Sequence, residues 1–494
     1  MSTVLYAEDW PQAFGPNGDF TVNGKAVDSF SVSMDENILW RTPMPSTGQG
    51  TPIISNGRIF VTSHERMEED SEMGSDIVGI CLDAKTGNKL WERKIPGTRT
   101  TDLSSLFSDN TAASPVSDGE RVVFMSVGGT IASFDFEGKE LWTHKWTPFG
   151  RHHARAHEPI LHYGMVIVAH TPKYDLPIEA TTKVGSKALG RGKEYWNFLR
   201  AYDLKTGKLL WQAEAGTSVH STSMLGQFAK GKLAILTGRG GGHQPPEEPY
   251  GLSMIDLTSG KSIWDQSIKG YPAAQNTSWN KNGVYFFAGS MHQSLSSRTG
   301  KKKKESSIFE KVSITKWNGK DYEIKHNQTL KKSKKPITYF TNILIGEYHY
   351  FRSFEGFMIG RVNLKNGKVE YLEVPAQVIR EKGKEEEVLW GKTVPNDMKN
   401  ADGFKATMDK RNAGSGWGHV SSAPPIVVGE LIYFPTMAGM VYVLKWNAEI
   451  LDEESLVSIS DLGRVGETWS LSGLAYVDGK IFARTLKEMI CIGR

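Results

Sequence analysis

The side chains in this sequence best suited to acid–base work on a charged ligand are histidines and arginines, and their spacing gathers them. Read as short apolar strands separated by glycine turns, the chain places His152, His153, His157, His220 and His419 just ahead of strands. His64, His170, Arg239, His243, His292, Arg352 and Arg484 fall where second strands end, as in Met165-Val-Ile-Val-Ala-His170. Eight or nine of the thirteen histidines then project toward one rim. An unperturbed histidine titrates near pH 6.5 and can act as base or acid at neutrality, while the planar arginine fork pairs with carboxylate or sulfate. Such a set can carry β-elimination from a uronate: a cation neutralises the carboxylate, a base takes the neighbouring proton, and an acid serves the leaving oxygen.

His153, His170 and His157 are the expected catalytic group. Arg239, His243, Tyr250, His292, Arg352, Trp417 and His419 are the expected substrate contacts, Trp417 offering a flat face to a sugar ring. No cofactor is needed for this chemistry, although several of the histidines could hold a metal ion. Two-carboxylate hydrolysis is less favoured, because acids are scarce on the rim; Glu158, Glu247, Glu248 and Glu355 are its candidates. Two glycine-rich stretches, Gly238 to Tyr250 and Asn412 to His419, let backbone approach a ligand. The first adjoins no helix, so it does not read as a dinucleotide or phosphate loop.

What must position these groups is a repeat. Cys81-Leu-Asp-Ala-Lys-Thr-Gly-Asn-Lys-Leu-Trp91, Ala201-Tyr-Asp-Leu-Lys-Thr-Gly-Lys-Leu-Leu-Trp211 and Met254-Ile-Asp-Leu-Thr-Ser-Gly-Lys-Ser-Ile-Trp264 are one hairpin written three times. A second hairpin precedes each, as in Thr51-Pro-Ile-Ile-Ser-Asn-Gly-Arg-Ile-Phe-Val and Ser114-Pro-Val-Ser-Asp-Gly-Glu-Arg-Val-Val-Phe. Two hairpins every fifty residues or so make four-stranded sheets that close radially into a β-propeller. Outer strands near positions 40, 91, 142, 211, 264, 324, 371 and 457 give eight blades, with seven as the fallback. The last unit, from about Thr468, lacks a fourth strand, which the strand ending near Trp40 can supply. The whole chain is then one domain, with polar insertions at 171–198, 295–308 and 374–413. The run Lys301-Lys-Lys-Lys304 reads as a solvated loop.

The Asp-x-x-Thr-Gly-x-x-x-Trp repeat, with the opening Asp9-Trp10-Pro-Gln-Ala-Phe-Gly-Pro-Asn-Gly-Asp19, resembles the pyrroloquinoline-quinone-like (quinoprotein-like) β-propeller repeat family. The resemblance implies an eight-bladed ring. It leaves several functions open: quinone-dependent dehydrogenases, outer-membrane assembly scaffolds and secreted proteins of polysaccharide-degrading bacteria. Quinone enzymes hold calcium with carboxylate and amide oxygens and carry adjacent cysteines. Here Cys81 and Cys491 lie far apart and the rim is poor in acids, so bound quinone is not expected.

Composition sets the remaining bounds. The 494 residues are 39% hydrophobic and 23% charged, with a net charge of +4 spread along the chain, which is not a nucleic-acid footprint. No segment reaches the roughly 18 apolar residues of a membrane helix, and the first residues lack the pattern of a signal peptide. The expectation is therefore a soluble carbohydrate-active propeller, a lyase on an acidic polysaccharide or oligosaccharide, placed in the periplasm or outside the cell if a signal has been removed. The alternative is a non-catalytic binding or assembly scaffold.

Overall fold

A computed structural model describes residues 9–71, 74–98, 109–148, 158–170, 197–215, 222–239, 250–269, 271, 275, 277–331, 338–354, 356–407 and 417–494. Eight antiparallel blades form the expected propeller, and among the described residues helix is confined to short turns such as Trp417–Val420. Within each blade the first strand lies innermost. Blade one, for example, runs Ile53–Ser55, Arg58–His64, Ile77–Asp83 and Lys89–Ile95. Second strands are almost wholly buried, because both faces pack against neighbouring blades; Phe60, Phe124 and Trp91 meet in this way between blades one and two.

The repeated turn explains why the ring holds its spacing. In each strong copy an acidic side chain accepts from the turn, as Asp83 does from the Thr86 N–H and hydroxyl, both at 2.8 Å. The turn glycine then adopts a left-handed φ (Gly87, 74°; Gly207, 71°; Gly260, 67°) and lies under the tryptophan of the preceding blade. A Cβ at Gly87, Gly138, Gly207, Gly260 or Gly300 would come within 2.6–3.0 Å of that indole. Any other residue would suffer both backbone strain and a collision. The indole N–H donates across the same junction, from Trp40 to Ala84 O at 3.2 Å and from Trp91 to Phe136 O at 2.8 Å.

Closure occurs where the truncated last unit predicts it. Ile38–Pro43 pairs antiparallel with Glu488–Ile492 and completes blade eight. Blade five differs from expectation. Its outer strand is Lys302–Ser307, inside the segment expected as an insertion, and three of the four lysines of the run, Lys302 to Lys304, belong to this exposed strand rather than to a loop. Position 324 lies instead in an extra hairpin, Glu310–Trp317 with Tyr322–Thr329. It joins the outer strand of blade six in parallel through Ser313↔Glu370 to Thr315↔Leu372, giving a six-stranded sheet. Of the 374–413 segment, Gln377–Ile379 and Glu387–Leu389 form a small hairpin tied to blade seven through Arg380 and Asp461. Of 171–198, only Asn197 and Phe198 lie among the described residues.

The segment from Trp10 to Val22 runs across the inner strands. Trp10 exchanges backbone hydrogen bonds with Ile54 of blade one at 2.9 and 3.0 Å, Pro11 O accepts from Ser117 of blade two, and the Gln12 side chain accepts from Leu161 N of blade three. Farther on, Thr21–Val22 adds a parallel strand to Ile426–Val428 of blade seven. Phe14 and Phe20, ring centroids 5.3 Å apart, share one small cavity with residues of blades one, three, four, seven and eight, which places them on the axis. These rings fill the centre of the propeller.

Candidate functional site

Because the second strand returns antiparallel to the first, every second strand ends on the ring face from which the first strands start. Those ends are His64, Ser126, His170, Arg239, Ala288, Arg352, Pro435 and Arg484. Five are histidine or arginine, as the sequence pattern indicates. All five are at least nine-tenths buried.

Each has its own inward partners. His64 Nε2 lies 3.2 Å from Asp109 Oδ1, and that oxygen also accepts from Thr111 N at 2.7 Å. His170 Nε2 is 2.8 Å from the Tyr202 hydroxyl, and its ring stacks on Trp146 with centroids 4.2 Å apart. Arg239 Nη1 donates to Asp265 Oδ1 at 2.8 Å and to Ser253 Oγ at 3.2 Å. Burial would raise the Asp265 carboxyl, but hydrogen bonds from Ser253 and Ser262 and the Arg239 charge together hold it below its ordinary value. Arg484 spans the closure, donating to Thr62 O, to Ser46 O at 3.3 Å and to Ser63 Oγ at 3.1 Å. Arg352 Nη2 donates to His419 Nδ1, and its guanidinium lies over the Tyr442 ring at 5.6 Å.

His292, expected at the end of a second strand, is instead the second residue of the third strand of blade five, Met291–Leu295, because the second strand already ends at Ala288; it faces the neighbouring blade, with Nε2 3.0 Å from His349 Nδ1. His349 Nε2 is 3.0 Å from Asn342 Oδ1. Tyr250, directly ahead of the third strand of blade four, is 39% exposed and is thereby the described member of the expected set that solvent reaches most freely. Trp417 begins the short turn of helix that leads toward blade seven; its side chain, and all of His153, His157, His220 and His243, lie outside the described residues. So do Glu247, Glu248 and Glu355.

Glu158 has a structural position that sequence reasoning missed. Thr51, Ser114 and Glu158 each precede the first strand of their blade beside the axis. Gly473 N donates to Thr51 Oγ1 at 3.1 Å, Thr51 N to Ser114 Oγ at 2.8 Å, and Ser114 N to Glu158 Oε2 at 2.8 Å. Three successive junctions are thus tied by a side-chain oxygen of one blade and an N–H of its neighbour. The signal was present as Thr51-Pro-Ile, Ser114-Pro-Val and Glu158-Pro-Ile, an acceptor side chain fixed before a proline. Glu158→Ala should leave the Ser114 N–H buried without its acceptor and lower stability by about 1–3 kcal/mol. Glu158→Gln, which keeps an oxygen there, should cost clearly less in a urea unfolding series. Equal losses would show that the charge, not the acceptor, matters.

Among the described residues no group of three or more histidine, cysteine, aspartate or glutamate side chains is arranged to hold a metal ion. Cys81 and Cys491 are buried on the third strands of blades one and eight, and burial pushes both thiols up to about 12. They cannot form the adjacent pair on which a quinone ring would stack, so these residues do not fit that cofactor.

No curated protein matches the chain. Among solved structures it is similar in fold to a quinohemoprotein alcohol dehydrogenase from Comamonas testosteroni, with 12% identity, 98% of this chain and 80% of that one covered, and a TM-score of 0.54. A second such dehydrogenase, from Pseudomonas putida HK5, gives 10% identity, 99% and 80% coverage, and 0.52. BamB from Moraxella catarrhalis aligns over 92% of this chain and 97% of its own at 11% identity, with a TM-score of 0.48. No helix among the described residues is long and apolar enough to cross a membrane. The family model described as outer membrane protein assembly factor BamB matches residues 38–284, half of the sequence. On that match, the chain belongs to the pyrroloquinoline-quinone-like β-propeller repeat family.

Proposed function

We propose that the protein is a non-catalytic binding or assembly propeller of the BamB-like kind, working in the periplasm or outside the cell. One observation carries this reading: the described histidines and arginines suited to acid–base chemistry are buried, and His64, His170, Arg239, His292 and Arg484 are turned to partners within the ring. His170, the expected base, holds Tyr202 and stacks on Trp146. A base needs its lone pair within reach of the substrate proton, and a ring fixed in this way has no such reach. A rigid ring filled at its centre suits a platform that presents surface to a partner.

The second reading, a lyase cleaving an acidic polysaccharide, is favoured by the Arg352–His419 pair, which has donors to spare for a carboxylate. Incubation with uronate-containing and sulfated polysaccharides, followed at the ultraviolet absorbance of an unsaturated uronate, separates the two. The scaffold reading expects no rise with any member of the panel, and expects His170→Ala to lower the melting temperature only. A rise that His170→Ala abolishes while the variant stays folded would replace the scaffold with the lyase.

A further inference from the structure

We propose that Arg352 and His419 bind an oxyanion, a carboxylate, sulfate or phosphate group, in the wall between blades six and seven. The argument is a count of donors against acceptors. Arg352 is 1% exposed, at the end of the second strand of blade six, with its backbone N–H donating to Thr341 O at 2.9 Å. Its guanidinium can only donate. Of its three nitrogens, Nη2 meets His419 Nδ1, while Nε and Nη1 are buried with no acceptor among the described residues.

The contact with Arg352 also fixes the histidine. Nδ1 must be the accepting nitrogen, so in the neutral ring the proton sits on Nε2. That nitrogen is likewise buried without a partner among the described residues, as is the hydroxyl of Ser421 two residues on. His419 is held neutral by burial, reinforced by the Arg352 charge beside it. Arg352 stays charged at neutral pH, since burial lowers it only to about 10. The buried pair is therefore cationic and presents donors, and what it lacks is negative charge and lone pairs.

Other buried arginines show what compensation looks like in this fold. Arg361 has Glu370 at 2.7 Å and carbonyls of Ala448 and Glu449 at 2.6 and 2.8 Å, and Arg239 has Asp265. Arg484, which has no carboxylate within hydrogen-bond reach, has the carbonyls of Thr62 and Ser46 instead. Among the described residues Arg352 has neither a carboxylate nor a carbonyl acceptor; the π face of Tyr442 is its counter-charge. Taking a guanidinium out of water with so little compensation is strongly unfavourable. A water molecule could accept from two of these donors, but it would bring two donors of its own and no negative charge. An oxyanion supplies both missing quantities at once, through charge-assisted hydrogen bonds.

The inference stands apart from the scaffold reading, because anion binding is measured without any turnover. The test compares wild type, Arg352→Met and Arg352→Lys in urea unfolding at constant ionic strength, with chloride replaced stepwise by phosphate, sulfate or glucuronate. Bound anion stabilises the folded state by mass action, so the wild-type midpoint should rise with at least one of the three. The rise should vanish in Arg352→Met apart from the general salting effect of sulfate and phosphate, which both proteins share. Arg352→Lys keeps the charge but not the fork, and should weaken affinity about tenfold. Which anion acts tells whether the natural group is a sugar carboxylate or an inorganic ion. An equal response in wild type and Arg352→Met, or none in wild type, overturns the proposal. If the methionine variant does not fold, calorimetric titration of wild type with the same three anions decides: saturable binding competed between oxyanions supports the site, and its absence refutes it.

Discussion

A chain lacking residues 1–45 should lose cooperative unfolding and aggregate at concentrations where the intact protein is monodisperse. The deletion removes Ile38–Pro43, the outermost strand of blade eight, which pairs along its length with Glu488–Ile492. Met489, Ile490, Cys491 and Ile492 are all fully buried, and without that partner they become an apolar sheet edge, a ready template for intermolecular pairing. The bidentate ion pair of Arg41 with Glu488 and the Trp40 contact on Gly87 of blade one go with it, so the ring opens at one junction. A shorter deletion, residues 1–22, separates closure from filling. It removes Trp10, Phe14 and Phe20 from the centre but leaves the closing strand, and should still melt in one transition at a lower temperature. If the longer deletion melted like the intact chain, the ring would be closed in some other way.

How much of this was legible in the sequence follows from how far apart the interacting groups lie. The turn-and-tryptophan contact writes itself into the chain as Thr-Gly followed by Trp, since its geometry tolerates little else, and five of the eight outer strands, those reaching Trp91, Trp142, Trp211, Trp264 and Tyr371, are read directly from it and from the weaker copies Phe134–Trp142 and Val362–Tyr371. Blade five escaped because its outer strand, Lys302–Ser307, is polar and carries no aromatic residue. Trp264 nevertheless packs on Gly300 as the repeat requires. The appended hairpin supplied Trp317 at a similar spacing, so the total of eight came out right with one strand misplaced. The strand ends of the candidate site were legible for the same reason of local periodicity.

What their side chains do was not legible. Asp109 lies 45 positions from His64, His349 is 57 from His292, and His419 is 67 from Arg352. These partners stand on the next blade or on the loop that leads into it. Nothing within one repeat announces them, and a histidine that caps its neighbour has the same local sequence as one that faces a ligand. Comparing equivalent positions in successive blades is the signal that would have found them.

Acid should destabilise the protein well before its carboxylates are protonated, and the buried histidine pair between blades five and six is the reason. The Asn342 amide nitrogen donates to Tyr339 O at 2.7 Å, so its oxygen faces Ser278 and His349 as acceptor only. His349 must then donate from Nε2 and accept at Nδ1, and His292 must donate from Nε2. Protonating His349 would set donor against donor. Burial lowers His292 to about 3, with Lys304 adding to the effect, and burial together with the His292 ring drives His349 well below its ordinary value. In the unfolded chain both titrate near 6.5. Between pH 6.5 and about 3 the unfolded state thus binds more protons than the folded one, so stability rises with pH across that window and these groups add no slope above it. For His292 alone the loss on going from pH 7 to pH 4.5 is on the order of 2–3 kcal/mol. His349 adds to this in the same direction, and so does His419. Against a total of roughly 5–15 kcal/mol, that is a large share. Urea midpoints of wild type and of the His292→Gln, His349→Gln double variant, measured at pH 7 and pH 4.5, test this. The variant should be the less stable protein at pH 7 but should lose markedly less on acidification, because two proton-linked transitions have been removed while every carboxylate remains. The same loss in both proteins would mean that the pair is protonated in the folded ring and that the direction assigned to its hydrogen bonds is wrong.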